Sequence, residues 1–137
     1  MLTRLTRPST RPSFAISIRQ PWAELILSHR KDTEYRLWRL PEKFWHVWLY
    51  LHAPANMTLQ EQEMARKRLG TVLQFRGGYI GLIKFGCPNW CRTPTEVRHL
   101  IKNPRCWHWP IEAVERIPLI PARGRLRIFA VREPADG

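Results

Sequence analysis

Lys31, Glu34 and Arg36 stand close together in the chain and form a compact ionisable set. On a strand, alternation places Glu34 and Arg36 on the same face. A guanidinium presents a planar fork of donors that grips phosphate or a base carbonyl, so Arg36, or Arg19 upstream of it, suits an anionic or carbonyl-bearing ligand. Glu34 would accept from an amino group, and Lys31 could carry a proton if burial and neighbouring cations depressed its pKa. The same spacing also fits a solvated surface pair beside a turn, because long charged side chains mostly stay in water.

Aromatic residues make a second set. Seven Trp in 137 residues is a heavy use of the largest side chain, which supplies either core or a stacking platform. Trp22, Trp48 and Trp107 fall in segments that read as core. Trp38, Trp45, Trp90 and Trp109 stand near Arg39, Lys43, Arg92 and His108, an interleaving of rings and positive charge that suits single-stranded nucleic acid.

A third set is Cys87 and Cys91 followed by Cys106 and His108. Three thiols and an imidazole can close a tetrahedral zinc site. Zinc ribbons usually carry a tighter Cys-x-x-Cys pair on each arm, and buried cysteine commonly serves as a small apolar filler, so the expectation is no metal site and no cofactor. No phosphate-binding loop, dinucleotide fingerprint or nucleophile elbow is present in the sequence.

The chain that must position these groups fits one domain. Its 23 Lys and Arg against 11 Asp and Glu leave a net charge of +12, and 18 of the 23 are Arg. That excess points to a polyanion, RNA or single-stranded nucleic acid first, with a nucleoprotein or protein partner as another possibility. No apolar run approaches the roughly 20 residues of a membrane-spanning helix, so no membrane partner is expected. Three cysteines are too few for a disulfide scaffold, which favours a reducing, cytoplasmic setting. Residues 1–12, rich in Arg, Ser, Thr and Pro, read as a basic flexible arm, residues 13–133 as the domain and residues 134–137 as a tail.

Within that domain, strands are expected at Phe14–Ile18, Thr33–Trp38, Trp45–His52, Tyr79–Phe85, Trp107–Ile117 and Arg125–Arg132. The third of these reads as alternating, with Val47, Leu49 and Leu51 on one side and Trp48, Tyr50 and His52 on the other. Pro21 opens a helix that ends near His29. Thr58 with Glu61 is a capping box ahead of a polar helix that exposes Arg66, Lys67 and Arg68, and Thr93 with Glu96 repeats the signature before a third helix. Six short strands with about three short helices describe an α+β fold built on a small mixed β-barrel.

The stretch from Ser17 to Arg36, S-I-R-Q-P-W-A-E-L-I-L-S-H-R-K-D-T-E-Y-R, resembles the opening motif of ASCH domains. There a strand ends in I-R-Q-P-W/Y, a helix carries L-I-L-S-G, and a basic turn leads to K-T-x-E-x-R. Gly78-Tyr79-Ile80-Gly81, Trp107-His108-Trp109 and Arg123-Gly124-Arg125-Leu126 look similar to later blocks of the family. Two positions depart from the pattern: His29 replaces the glycine after the helix, and Asp32 replaces the threonine after the lysine.

The resemblance implies a PUA-like barrel with a cleft beside the first helix, in a superfamily whose members bind RNA, read modified bases or carry small hydrolytic activities. The expected function is RNA or modified-nucleotide binding, with Arg19, Gln20, Trp22, Lys31, Glu34 and Arg36 in the cleft and Lys84 and Arg123 contributing from later strands. The alternative is a small hydrolase acting on RNA or acylated cytidine, with Lys31 and Glu34 catalytic. Against acylated cytidine, amidohydrolase-like members have a hydroxyl residue where this chain has Glu34. A protein–protein adaptor is a third reading.

Overall fold

A computed structural model describes residues 11–70 and 76–132 of the chain. The basic arm expected over residues 1–12 lies outside the described residues up to residue 10, and the tail at 134–137 lies outside them entirely. Seven strands form one sheet: β1 (Phe14–Ser17), β2 (Thr33–Arg36), β3 (Trp48–Ala53), β4 (Gly78–Phe85), β5 (Asn89–Arg92), β6 (Arg105–Pro121) and β7 (Ile128–Ala130). Their order is β2-β6-β4-β3-β1-β7, with β5 paired to β6. Among the described residues, two α-helices accompany the sheet, α1 (Trp22–Leu27) and α2 (Leu59–Leu69). Among the described residues, no helix is long and apolar enough to cross a membrane.

The long strand β6 organises the architecture. Its first half pairs with β2 and β5, whereas its second half pairs with β4. Pro110 sits at the changeover, where the β4–β6 register also shifts. Proline removes a ladder donor and favours such an irregularity. The parallel pairing of β1 with β3 brings Ser17 opposite His52.

This sheet corrects the expected closed barrel: its order ends at β2 on one side and β7 on the other, and the ladder is not closed. The gap falls between β2 and β7, and beside it Arg36 Nη2 at the end of β2 donates to the Ser17 carbonyl oxygen at the end of β1 at 3.1 Å. The third helix is corrected too. Thr95–Val97 forms only a 3-10 turn, because the Thr93 hydroxyl donates to the Asn103 carbonyl oxygen at 2.6 Å and so does not cap a helix. The strand β5 adds one more than the six expected.

α1 buries Ala23, Leu25, Ile26 and Leu27 against the sheet, where Ile16, Leu49, Leu51, Ile83 and Trp109 complete the main core. Each such Leu or Ile contributes roughly 1.5–3 kcal/mol relative to exposure. After α1 the backbone turns at His29 with φ +62°, the left-handed conformation that the usual glycine adopts without strain. α2 starts at the expected capping box, with both reciprocal bonds between Thr58 and Glu61 present, and ends at Gly70 with φ +68°.

Candidate functional site

A cleft of about 840 Å³ opens where the ladder fails to close. Its size falls within the range of small-ligand sites. The end of β1 and start of α1 supply Ser17, Arg19 and Trp22, and the turn into β2 supplies Lys31, Glu34, Tyr35 and Arg36. The loop before β7 supplies Arg123 to Arg127, while Val97, Leu100 and Ile101 form an apolar wall.

Glu34 is the centre of the polar floor. It is 7 % exposed, its Oε1 takes the Lys31 ammonium at 2.5 Å, and its Oε2 takes Arg36 Nη2 at 2.9 Å. Burial pushes a carboxyl up, but the two cations and their hydrogen bonds outweigh it and hold Glu34 at about 2. The group is therefore a carboxylate at neutral pH, fixed between two positive charges.

Arg19 is oriented by a second carboxylate. Its Nε donates to Glu61 Oε2 at 2.7 Å and its Nη2 to Oε1 at 2.8 Å, a bidentate pair that leaves the arginine side chain 41 % exposed. Glu61 thus caps α2 and aims Arg19 at once. Burial raises the Glu61 carboxyl, and its bonds from Arg19 and Thr58 override that and lower it.

Ser17 and His52 form a pair at the back of the cleft. His52 Nε2 lies 2.8 Å from the Ala122 carbonyl oxygen, which can only accept, so Nε2 carries the proton. Nδ1, 3.0 Å from Ser17 Oγ, then accepts from the hydroxyl. Burial holds the imidazole below its ordinary pKa, partly opposed by the Ala122 bond. The backbone of Gly124 presses on this pair: a Cβ there would stand 2.4 Å from His52 Cε1 and 2.7 Å from Ser17 Oγ. Gly124→Ala should therefore destabilise the fold by about 1–3 kcal/mol, the usual range for overpacking. Faster amide exchange across 122–127 should accompany the loss, and an unchanged melting temperature would show that the loop does not depend on this approach.

Of the residues expected in the cleft, the structure brings together Arg19, Trp22, Lys31, Glu34, Arg36 and Arg123. Gln20 is 1 % exposed, and its Oε1 accepts from the Glu24 backbone N–H at 2.9 Å, inside the start of α1 and away from the lining. Lys84 stands over the Trp48 ring, 5.0 Å from its centroid, and is not a lining residue. Tyr35, His52, Arg125 and Arg127 join the cleft without having been singled out as ligand contacts. Only the alternating Arg-x-Arg-x-Arg of 123–127 signalled any of them in sequence.

One tryptophan changes place. Trp22, expected both in a core segment and in the cleft, packs on the main core and lines the cleft, while Trp109, read as near the basic surface, is fully buried among Trp38 and Phe85. Among the sulfur residues, Cys91 faces Cys106 across β5 and β6, and His108 Nε2 is bonded to the Arg92 carbonyl oxygen. Among the described residues, no three His, Cys, Asp or Glu side chains group as a metal site would require.

The fold is that of an ASCH domain. Two crystal structures of ZmASCH from Zymomonas mobilis, a serine-to-alanine and a tyrosine-to-phenylalanine mutant, each superpose with a TM-score of 0.60 at 12% identity. The likeness covers 90% of this chain and 90% of the first and 92% of the second. No protein-family model and no curated protein sequence matches the chain.

Proposed function

We propose that the chain binds RNA, or another single-stranded nucleic acid or modified nucleotide, in the cleft beside α1. One observation carries this reading: six cations, Arg19, Lys31, Arg36, Arg123, Arg125 and Arg127, surround one cavity beside the rings of Trp22 and Tyr35. The two carboxylates among the lining residues, Glu34 and Glu61, are both already paired. The surplus positive charge attracts phosphates, and the rings offer bases a stacking surface.

The hydrolase reading centred on Lys31 and Glu34 is weaker on physical grounds. Proton transfer is most efficient when the catalytic pKa lies near the operating pH. A carboxyl held at about 2 is a poor proton donor and a weak base at neutral pH. Its geometry favours a fixed anchor that orients Lys31 and Arg36.

Filter binding of a single-stranded RNA tests the proposal. If about four to six phosphates are neutralised, affinity should fall roughly 50- to 300-fold between about 50 and 200 mM salt. No binding at the lower salt, or binding indifferent to salt, would overturn it.

A further inference from the structure

Behind the loop that carries Arg123 and Arg125 lies a second cavity of about 310 Å³. Ala122, Arg123 and Arg125 line both cavities, so a single loop separates them. The second cavity also gathers Arg11 and Arg132, and no Asp or Glu is among its lining residues. Among the described residues, no carboxylate forms a salt bridge with Arg123, Arg125 or Arg132. Its aromatic side is made by Tyr50 and Tyr79, stacked with centroids 4.5 Å apart and ring planes at 17°, with Phe129 beside them. Burial and the neighbouring Tyr50 raise the Tyr79 phenol, which therefore stays neutral at neutral pH.

We propose that this cavity is a second nucleotide subsite, which takes the base adjoining the one held in the main cleft, with the phosphodiester between them lying across Arg123 and Arg125. The inference rests on the nucleic-acid reading of the main cleft and adds a direction for the strand. Three features select a nucleotide as occupant. The volume is at the small end of small-ligand sites, which suits one base and sugar. The uncommitted arginines match phosphate in charge and geometry. The site also shares Ala122, Arg123 and Arg125 with the main cleft, so a strand that crosses this loop over the two arginines passes from one cavity to the other.

A two-site arrangement predicts that affinity rises with length, because the second nucleotide binds intramolecularly once the first is held. Titration of uridine 5′-monophosphate, the dinucleotide UpU and tetrauridylate at constant salt, read by intrinsic tryptophan fluorescence, measures that rise. The expected gain from the mononucleotide to UpU is about tenfold or more, in the range of one stacked base. Arg132→Glu, and separately Ala130→Glu, which places a carboxylate at an exposed lining position, should abolish the gain and leave mononucleotide affinity within about twofold. Lys67→Glu on α2 makes the same charge change as Arg132→Glu, less closely matched in shape, and should preserve the gain.

Loss of the gain in all three variants would show general charge attraction and overturn the subsite. So would retention of the gain in Arg132→Glu and Ala130→Glu. If the mononucleotide binds and Lys31→Met weakens it while the length gain ignores Arg132, the main cleft stands and the subsite falls. If none of the three probes binds, both readings fall.

Discussion

Replacing Glu34 by leucine should destabilise the folded chain by about 3–5 kcal/mol, the usual cost of removing one partner from a buried ion pair. The loss comes from what is left behind. Lys31 and Arg36 keep side-chain exposures of only 14% and 24%, and they would face each other without the carboxylate that both now contact. Replacing Lys31 with Met as well as Glu34 with Leu should recover part of the loss, because that pair is then exchanged for apolar groups of similar volume while Arg36 still lacks its carboxylate. Chemical denaturation of the two variants measures both values. A single substitution that costs under about 1 kcal/mol would mean that the three charges are not energetically linked.

The same group sets an acid limb. Because the Glu34 carboxyl sits lower in the folded chain than its ordinary 4.5, its contribution is complete above that value and is lost as pH falls toward about 2. Over that window the wild type should lose on the order of 3 kcal/mol that Glu34→Gln does not lose. Equal acid slopes in the two proteins would place the titration elsewhere.

Local chemistry was the most readable part of this chain. The Thr58–Glu61 cap lies within three residues and forms as expected, as does α1 after Pro21. What the sequence hid depends on partners far along the chain. Glu61 reads as a cap, and its grip on Arg19 crosses 42 positions. Ser17 meets His52 through a parallel pairing 35 positions apart, which no local pattern announces. Tertiary cover also overrode alternation: β3 was read as two-faced, yet every residue from Leu49 to Ala53 is buried because β1 and β4 flank it and both faces are covered. β5 fails in the opposite sense, with all four residues exposed and no apolar period to mark it. The ionic cluster at Lys31, Glu34 and Arg36 was legible as a spacing. Its burial, which separates a fixed anchor from a solvated pair, was not.

The cleft and the polar helix should respond differently to loss of charge, and that contrast is the most direct measure of whether the ionic cluster serves recognition. Arg66, Lys67 and Arg68 lie in the last turn of α2, and the Arg66 side chain is 70% exposed against Glu63. Neutralising all three should weaken single-stranded RNA binding evenly across sequences and reduce the salt slope by about two, at about 0.7 per phosphate contact. Lys31→Met and Arg123→Ala act inside the cleft, where a lost charge-assisted hydrogen bond costs about 1.5–3 kcal/mol, or roughly 10- to 150-fold in affinity. Their effect should fall mainly on the tightest-binding sequence and flatten the preference among sequences. Arg123 has no carboxylate partner among the described residues, so Arg123→Ala should keep the wild-type melting temperature, and its loss of affinity reports on binding alone. A large loss from the three helix charges with none from Lys31 or Arg123 would reverse the assignment: the outer surface would hold the nucleic acid, and the anchored cations of the cleft would be structural.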